Sequence, residues 1–178
     1  MSYTPMSDLG QQGLFDITRL LLQQPDLAAL SETLTRLVQQ SALADEAAII
    51  LWNAGNHRAA RYACDEAGHP VSYEDETVLA HGPVRRLLSR PDALHCDHET
   101  FADTWPQLIR SGIYRPFGYY SLLPLAADGR IFGGCEFLRR DNRPWSEKEF
   151  QRLHTFAQIV AVVTEQIQNR VSNNVDYD

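Results

Sequence analysis

The stretch from Tyr119 to Leu138 constrains the fold of this chain more than any other. It contains two apolar runs, residues 119–126 and 130–138, on either side of Ala127-Asp128-Gly129. Asp-Gly between two strand-like runs is a strong hairpin signal, because a tight turn needs positive φ angles that these residues adopt at low cost. Both runs are almost continuously apolar, which is typical of strands covered on both faces. We therefore predict a central antiparallel hairpin with helices packed on both sides of its sheet.

A pair of glycines, Gly133 and Gly134, interrupts the second apolar run. A glycine in the middle of a strand marks a bulge or a place where another backbone or a ligand comes close. A covered sheet with such a gap suggests a pocket.

Apolar residues three or four positions apart predict three principal helices. The first runs over Leu9–Pro25, and the second begins at the N-cap Asp26 and ends near Ser41. The last begins at Ser146 and Glu149, which fit the capping-box pattern, and continues to about Val171. Shorter elements are predicted as strands at 47–53, 58–64 and 93–96, as helices at 78–89 and 99–109 with breaks at Gly82-Pro83 and Pro106, and as a loop at 65–73.

The length and composition fit one compact domain. The chain has 178 residues, of which 44% are hydrophobic, and this is enough for one core but cramped for two. We predict a flexible arm at 1–8, a single domain at 9–171, and the start of a linker to further modules at 172–178.

The net charge and the cysteine count argue against some classes of partner and indicate a cellular location. A formal charge of −7 leaves no broad basic surface for nucleic acid or an anionic membrane. No apolar run approaches the about 20 residues of a membrane span. The N-terminus has no export signal and the three cysteines are an odd number, so we expect a cytoplasmic location.

Several segments together resemble a known family. Ser121-Leu-Leu-Pro-Leu, Ile131-Phe-Gly-Gly and Arg143-Pro-Trp-Ser-Glu, followed by a long amphipathic helix, resemble the end of a GAF domain. The opening SYTPMSDLGQQGLFDITR and the central YEDETVLAHGPVR extend the likeness over the whole chain. They resemble the N-terminal domain of the sigma-54-dependent, formate-responsive transcriptional activators of enteric bacteria.

The resemblance implies an α+β fold and a regulatory function. The fold is GAF-like, with a central antiparallel sheet of about six strands, terminal helices on one face and a ligand pocket under the other. Further modules are implied in the family: a second GAF domain, an AAA+ ATPase that acts on the sigma-54 form of RNA polymerase, and a helix-turn-helix. This chain has no G-x-x-x-x-G-K-[ST] phosphate loop, so we expect a sensory fragment without enzyme activity or cofactor, whose signal is formate.

Formate is a small planar anion, so its site should combine a guanidinium or helix N-terminus with neutral donors and tight walls. In GAF domains the segment between the middle helices and the central hairpin bounds the pocket, and here that segment is about His81 to Tyr120. Its arginines and tyrosines are the candidate ligands. The first choice is Arg115 and Tyr114 with Tyr119 or Tyr120, and the second is Arg110 with His81. For each arginine, a solvated or salt-bridged side chain is the alternative.

Two other chemistries are weighed against this site. The segment His95-Cys96-Asp97-His98 contains metal-binding residue types, but distant partners would have to complete a ligand set, so an irregular loop is favoured. Thiol catalysis by Cys64, Cys96 and Cys135 would need two sulfurs close together, and the sequence has no C-x-x-C. Cys135 is more simply a small core residue. We therefore predict neither a metal site nor a catalytic site.

Two functions from different classes remain. A sensor domain predicts a closed polar pocket that contains at least one arginine. A structural module, which dimerises or restrains a downstream ATPase by contact, predicts an apolar or filled cavity and large exposed apolar areas on its helices. In either case the terminal helices are candidates for a homodimer interface.

Overall fold

The computed structural model of the protein describes residues 11–53 and 55–175. The arm predicted at 1–8 lies outside these residues. The described elements, in chain order, are α1 (Gln11–Leu22), α2 (Leu27–Gln40), β1 (Glu46–Asn53), β2 (Arg58–Cys64), β3 (Pro70–Glu76), α3 (Thr77–Ala80), α4 (Pro83–Ser89), β4 (Leu94–Asp97), α5 (His98–Thr104), α6 (Pro106–Ser111), β5 (Tyr119–Ala127), β6 (Arg130–Arg139) and α7 (Glu147–Val175).

The strands form one antiparallel sheet in the order β3-β2-β1-β6-β5-β4. Helices α1, α2 and α7 cover one face, where they bury an apolar cluster with β1, β5 and β6. The short helices α3 to α6 cover the other face and bury a second cluster. The predicted α+β architecture, with about six antiparallel strands and terminal helices on one face, is confirmed.

The predicted central hairpin is formed by β5 and β6. Ala127 pairs with Arg130, so Asp128 and Gly129 alone make the turn. Their φ angles are +51° and +72°, the two positive values that a primed two-residue turn requires. The Asp-Gly signal therefore predicted the position of the turn correctly to within one residue.

The adjacent glycines of β6 allow close packing but do not leave a gap. A Cβ atom at Gly133 would lie 2.1 Å from the carbonyl oxygen of Ile50 on β1. At Gly134 it would lie 2.5 Å from Cδ1 of Leu122. The predicted close approach of a backbone is confirmed, but the space beside the glycines is filled, so no pocket lies there.

The two predicted N-terminal helix caps, at the starts of α2 and α7, are both present. Oδ1 of Asp26 accepts a hydrogen bond from the backbone N–H of Ala29 at 2.8 Å, which caps α2. Ser146 and Glu149 exchange the two hydrogen bonds of a capping box before α7. This helix continues four residues beyond the predicted end at Val171, into residues predicted to start a linker. The division into arm, domain and linker stays a prediction.

One strand contradicts the sequence prediction. Residues 65–73 were expected to be a loop, but the chain is extended from Pro70 to Glu76 and pairs with β2. β3 is an edge strand, so half-buried Val71 and Tyr73 alternate with exposed residues. The loop was predicted from Gly68 and Pro70, but proline is tolerated at the first residue of an edge strand.

Candidate functional site

Glu136 is a charged residue in the middle of a buried strand. It lies on β6, and its side chain is completely buried on the sheet face that the short helices cover. Three donors converge on its carboxylate. Nε of Arg61 donates to Oε1 at 2.6 Å, the hydroxyl of Tyr114 donates to Oε2 at 2.5 Å, and the hydroxyl of Tyr120 also donates to Oε2. We call Arg61, Tyr114, Tyr120 and Glu136 the carboxylate cluster.

Four separate parts of the chain build the carboxylate cluster. Tyr120 is on β5, next to β6, and Tyr114 comes from the segment between α6 and β5. Arg61 is on β2, so it must reach across β1 to meet Glu136. The residue of β1 that pairs with Glu136 is Ala48, whose single methyl group leaves room for the two long side chains. The cluster therefore depends on the register of the sheet.

The surroundings fix the charge state of the donors. Burial opposes the charge of Arg61, but attraction to Glu136, then Tyr114 and Glu46, outweighs it and raises the pKa of Arg61. Burial and the Glu136 carboxylate raise the pKa of Tyr114 and of Tyr120 well above the usual value. A buried guanidinium and two protonated hydroxyls thus face one carboxylate.

A line of alternating charges connects the carboxylate cluster to the surface. Oε1 of Glu46 accepts a hydrogen bond from NH2 of Arg61 at 3.3 Å, and Oε2 of Glu46 forms an ion pair with NH2 of Arg115, also at 3.3 Å. The exposed fraction of the side chains falls from 25% at Arg115 to 9% at Glu46, 1% at Arg61 and 0% at Glu136. The charges therefore compensate one another in sequence from solvent to core.

Arg115 borders an open cavity of about 360 Å³ where the central strands β1 and β6 begin and end, respectively. Its Nε atom is buried and, within the described part of the chain, has no hydrogen-bond partner. Because a buried donor without a partner carries a desolvation cost, this N–H would gain a hydrogen bond from any acceptor that reached it. The remaining walls include Asp45, Glu66, Phe117, Leu138, Arg139 and Arg140.

The structure brings together three of the four residues that were the first choice for the formate site. Tyr114 and Tyr120 belong to the carboxylate cluster, and Arg115 is linked to it through Glu46. Tyr119 is next to Tyr120 on β5, so its side chain points to the opposite face of the sheet. There its ring packs against Trp145 with 5.8 Å between centroids.

The second-choice residues lie elsewhere. His81 is exposed, and its Nδ1 is 3.0 Å from a terminal nitrogen of Arg85. Arg110 is exposed in the last turn of α6. Neither residue joins the carboxylate cluster or borders the cavity at Arg115.

Sequence reasoning missed Arg61, Glu46 and Glu136. The one available signal was Glu136 itself, a lone acid between Cys135 and Phe137 in an apolar run. Because a buried charge needs a partner, a glutamate at such a position requires a buried cation somewhere in the fold. The sequence could not say which arginine supplies it.

Residues 95–98 form the end of β4 and the start of α5. The strand predicted at 93–96 is therefore confirmed, and the irregular loop that was favoured over a metal site is wrong. His95 Nδ1 lies 2.8 Å from the hydroxyl of Ser121, and Asp97 caps α5 through the N–H of Thr100. His98 packs edge-on against Phe117. Among residues 11–53 and 55–175, no three His, Cys, Asp or Glu side chains are grouped in a way that would hold a metal ion.

All three cysteines are free thiols in buried positions. Burial raises the pKa of Cys64, raises that of Cys96 to about 11 together with the nearby Asp97, and raises that of Cys135 well above the usual value. Cys135 lies in the apolar core under the terminal helices, as predicted. Such thiols carry little thiolate at neutral pH, which is the opposite of a catalytic cysteine.

Arg139 joins β6 to the last helix. It follows Glu136 by three residues, so its side chain is on the opposite face of the strand. Its NH2 atom is 2.5 Å from Oε2 of Glu149 on α7, and its guanidinium lies over the ring of Trp145 at 4.7 Å. It also donates to the carbonyl of Leu43, before β1. One strand therefore carries both the centre of the carboxylate cluster and the anchor of α7.

The fold and the sequence identify the class of protein. The family model for the GAF domain matches residues 26–163, which is most of the chain. The chain therefore belongs to the GAF domain family. In the described residues, no helix is long and apolar enough to cross a membrane.

Two curated relatives match the whole chain. It is 74% identical over 178 residues to the "Formate hydrogenlyase transcriptional activator" of Salmonella typhimurium. It is 71% identical over the same length to the "Formate hydrogenlyase transcriptional activator FhlA" of Escherichia coli. In both cases all of this chain is covered but only 26% of the relative, so the chain spans about a quarter of their length.

Solved structures share the fold at low sequence identity. The GAF domain of an Acinetobacter phosphoenolpyruvate-protein phosphotransferase aligns with a TM-score of 0.66 at 16% identity, over 92% of this chain and 97% of that one. A free methionine-R-sulfoxide reductase from Neisseria meningitidis aligns with a TM-score of 0.64 at 12% identity, over 96% of both chains. At these identities the likeness establishes the fold alone.

Proposed function

We propose that this chain is the sensory domain of a transcriptional activator and that its signal is formate. The names of the relatives, at 71–74% identity, support the activator and point to formate metabolism. The carboxylate cluster supports a small carboxylate as the ligand. Its donors already bind a carboxylate group, and this is the observation that carries the proposal.

The chemistry of the donors matches formate closely. Formate needs a cation, one or two neutral donors and walls that exclude larger acids. Arg61 supplies the cation, and Tyr114 and Tyr120 supply the neutral donors. Arg115, with its unpartnered Nε, lies where an anion would first meet the protein.

The size of formate limits its affinity. It has three heavy atoms, and the best very small ligands reach about −1.5 kcal/mol per atom. The ceiling is therefore about −4.5 kcal/mol, which corresponds to a dissociation constant near 1 mM. The native domain can bind formate no more tightly than this, so it would respond only where formate accumulates.

The output passes through α7 to the rest of the activator. In this proposal the downstream module is an AAA+ ATPase that activates the sigma-54 form of RNA polymerase at formate hydrogenlyase genes in the cytoplasm. The domain itself is regulatory rather than catalytic. Formate can shift the conformational equilibrium by no more than the difference in its affinity for the two states.

An NMR titration of ¹⁵N-labelled chain with formate, at constant ionic strength, tests the proposal. We expect saturable amide shifts near 112–120 and 136–140 that acetate and chloride do not reproduce. Arg115→Ala should weaken them. Arg110→Ala is the matched control, since it removes an exposed arginine away from the cavity, and it should leave the shifts unchanged. Formate shifts that follow those of chloride would refute a formate receptor in this chain.

A second function is favoured by the surface of the terminal helices. Leu14, Phe15 and Leu22 of α1 are exposed, with 61% of Phe15 accessible, and Val162 of α7 is also exposed. Apolar groups on helices that already pack against each other fit an interface with a second copy of this chain. Sedimentation velocity of the wild type and Phe15→Ser tests this: a dimer that dissociates on substitution supports it, and a wild-type monomer at high concentration refutes it.

A further inference from the structure

The receptor described above is not empty, because Glu136 occupies it. We propose that Glu136 is a built-in competitor of the ligand: its carboxylate fills the anion site made by Arg61, Tyr114 and Tyr120, and formate binds by displacing it. This inference rests on the proposed formate response and specifies how that response is controlled.

The hydrogen bonds of Glu136 are those that a formate ion would make. A carboxylate offers two oxygens, and here one oxygen takes the Arg61 Nε–H while the other takes both hydroxyls. Formate presents the same planar group with a hydrogen in place of the side chain. The donors cannot distinguish the two carboxylates by hydrogen bonding. Which one binds therefore depends on the covalent attachment of Glu136 to β6 and on the volume that is available at the site.

The two carboxylates exclude one another. Phe101 packs against Tyr120 at 4.8 Å and against Tyr114 at 5.4 Å between ring centroids, and these rings close the space around the hydroxyls. Formate bound beside Glu136 would also add a third negative charge to a desolvated site, since Glu46 and Glu136 already contact the Arg61 guanidinium. Entry of formate therefore requires that Glu136 leave.

The segment 112–118 is a part of the site that no helix or strand holds in place. β6 is paired on both sides, by β1 and β5, so its backbone is held in place. Residues 112–118 lie outside any helix or strand and carry both Tyr114 and Arg115. A shift of this segment would release one hydroxyl from Glu136 and open the site towards the cavity at Arg115.

An internal competitor sets the threshold of the sensor. Because Glu136 is tethered, its carboxylate competes at a high effective concentration, and the apparent affinity for formate falls by the fraction of molecules in which the site is open. Removing the competitor should strengthen binding. It should also relax selectivity, because Glu136→Ala removes two carbons and two oxygens, a volume that acetate fills better than formate.

The experiment compares wild type, Glu136→Ala and Glu136→Gln in titrations with formate and with acetate, followed by amide NMR and by the melting temperature. We expect Glu136→Ala to bind formate about tenfold or more tightly than wild type and to gain binding of acetate. Glu136→Gln keeps the shape of the side chain but not its charge, so it should show an intermediate gain. Glu99→Ala is the matched control, because it removes an exposed carboxylate on α5 that belongs neither to the carboxylate cluster nor to the walls of the cavity at Arg115, and it should show no gain for either anion.

The outcomes separate the inference from the proposed function. If wild type and Glu136→Ala bind formate equally, the receptor stands and the competitor is refuted. If only Glu136→Ala responds, to formate and acetate, the competitor stands and formate sensing by the native domain is refuted. If neither responds, both are refuted. Should Glu136→Ala unfold, restoration by acetate or formate but not by chloride supports the competitor, and failure of every anion to restore it overturns the inference.

Discussion

Arg61 and Glu136 meet above the strand that separates them, with 2.6 Å between Nε and Oε1 and almost no exposure of either side chain. Breaking such a pair from one side leaves a buried charge without a partner, which costs about 3–5 kcal/mol. We expect Arg61→Leu to lower the free energy of unfolding by this amount in urea denaturation.

Two further variants check that the loss arises from the pair. Arg110→Leu changes an exposed arginine and should alter stability by less than about 0.5 kcal/mol. The double variant Arg61→Leu/Glu136→Leu should lose less than the sum of the single variants, because neither charge is then left alone. A loss below about 1 kcal/mol for Arg61→Leu would contradict the buried pair.

The two glycines of β6 predict different costs for the same substitution. In Gly133→Ala the new methyl meets the backbone oxygen of Ile50, which is held in the sheet. In Gly134→Ala it meets a methyl group of Leu122, which can rotate away. We expect losses of about 3 kcal/mol or more for the first and about 1–2 kcal/mol for the second. Thermal or urea unfolding measures both, and the reverse order would be inconsistent with this packing.

The capping box predicts a contribution from Ser146 to the stability of α7. Its hydroxyl accepts the N–H of Glu149 at 3.2 Å, and no other side chain performs this role in the described residues. We expect Ser146→Ala to cost about 1 kcal/mol in urea unfolding. Ser172→Ala, near the exposed end of the same helix, is the control and should change stability by less than about 0.5 kcal/mol. Equal effects of the two substitutions would argue against the cap.

The pKa of Glu149 predicts acid sensitivity. Burial raises this pKa, but hydrogen bonds from Ser146 and the charge of Arg139 outweigh burial and lower it below the usual 4.5. Since the folded state favours the carboxylate, the stabilisation is complete above about pH 4.5 and is lost as the pH falls through the folded pKa. We expect the difference in unfolding free energy between wild type and Glu149→Gln to be largest near neutral pH and to shrink in acid. A difference that grows as the pH falls would have the wrong sign.

The thiols should be inert in the folded protein. All three are buried, and the pKa of Cys96 is about 11. We expect Ellman's reagent to react slowly with the native chain at neutral pH and with three thiols per chain once urea unfolds it. Rapid modification of one native thiol would indicate a reactive cysteine and reopen the question of thiol chemistry.

Local signals in the sequence were sufficient for most of the fold. Asp128-Gly129 located the hairpin, and Asp26 and Ser146 located two helix starts, because turns and caps depend on residues only a few positions apart. β3 was missed because edge pairing depends on a partner strand that local pattern does not reveal.

The candidate site was harder to predict from the sequence, because it also depends on strand pairing that the local pattern does not reveal. Tyr114, Tyr120 and Arg115 were selected because they crowd one segment, and that segment does line the site. Arg61 comes from a strand far away in sequence, and only the sheet register brings it to Glu136. Tyr119 differs from Tyr120 by one position, and the alternation of a strand alone places it on the other face.

The length of α7 has a mechanical consequence. Its 29 described residues span about 43 Å, and its first turn is tied to β6 through Arg139 and Glu149. Beyond Ile167 none of its side chains is buried. The part of α7 from Leu153 to Ile167 is packed in the core, so only residues 168–175, which span about 12 Å, project beyond it. A change in the tilt of the packed part would therefore move Val175 further than any buried residue of the helix.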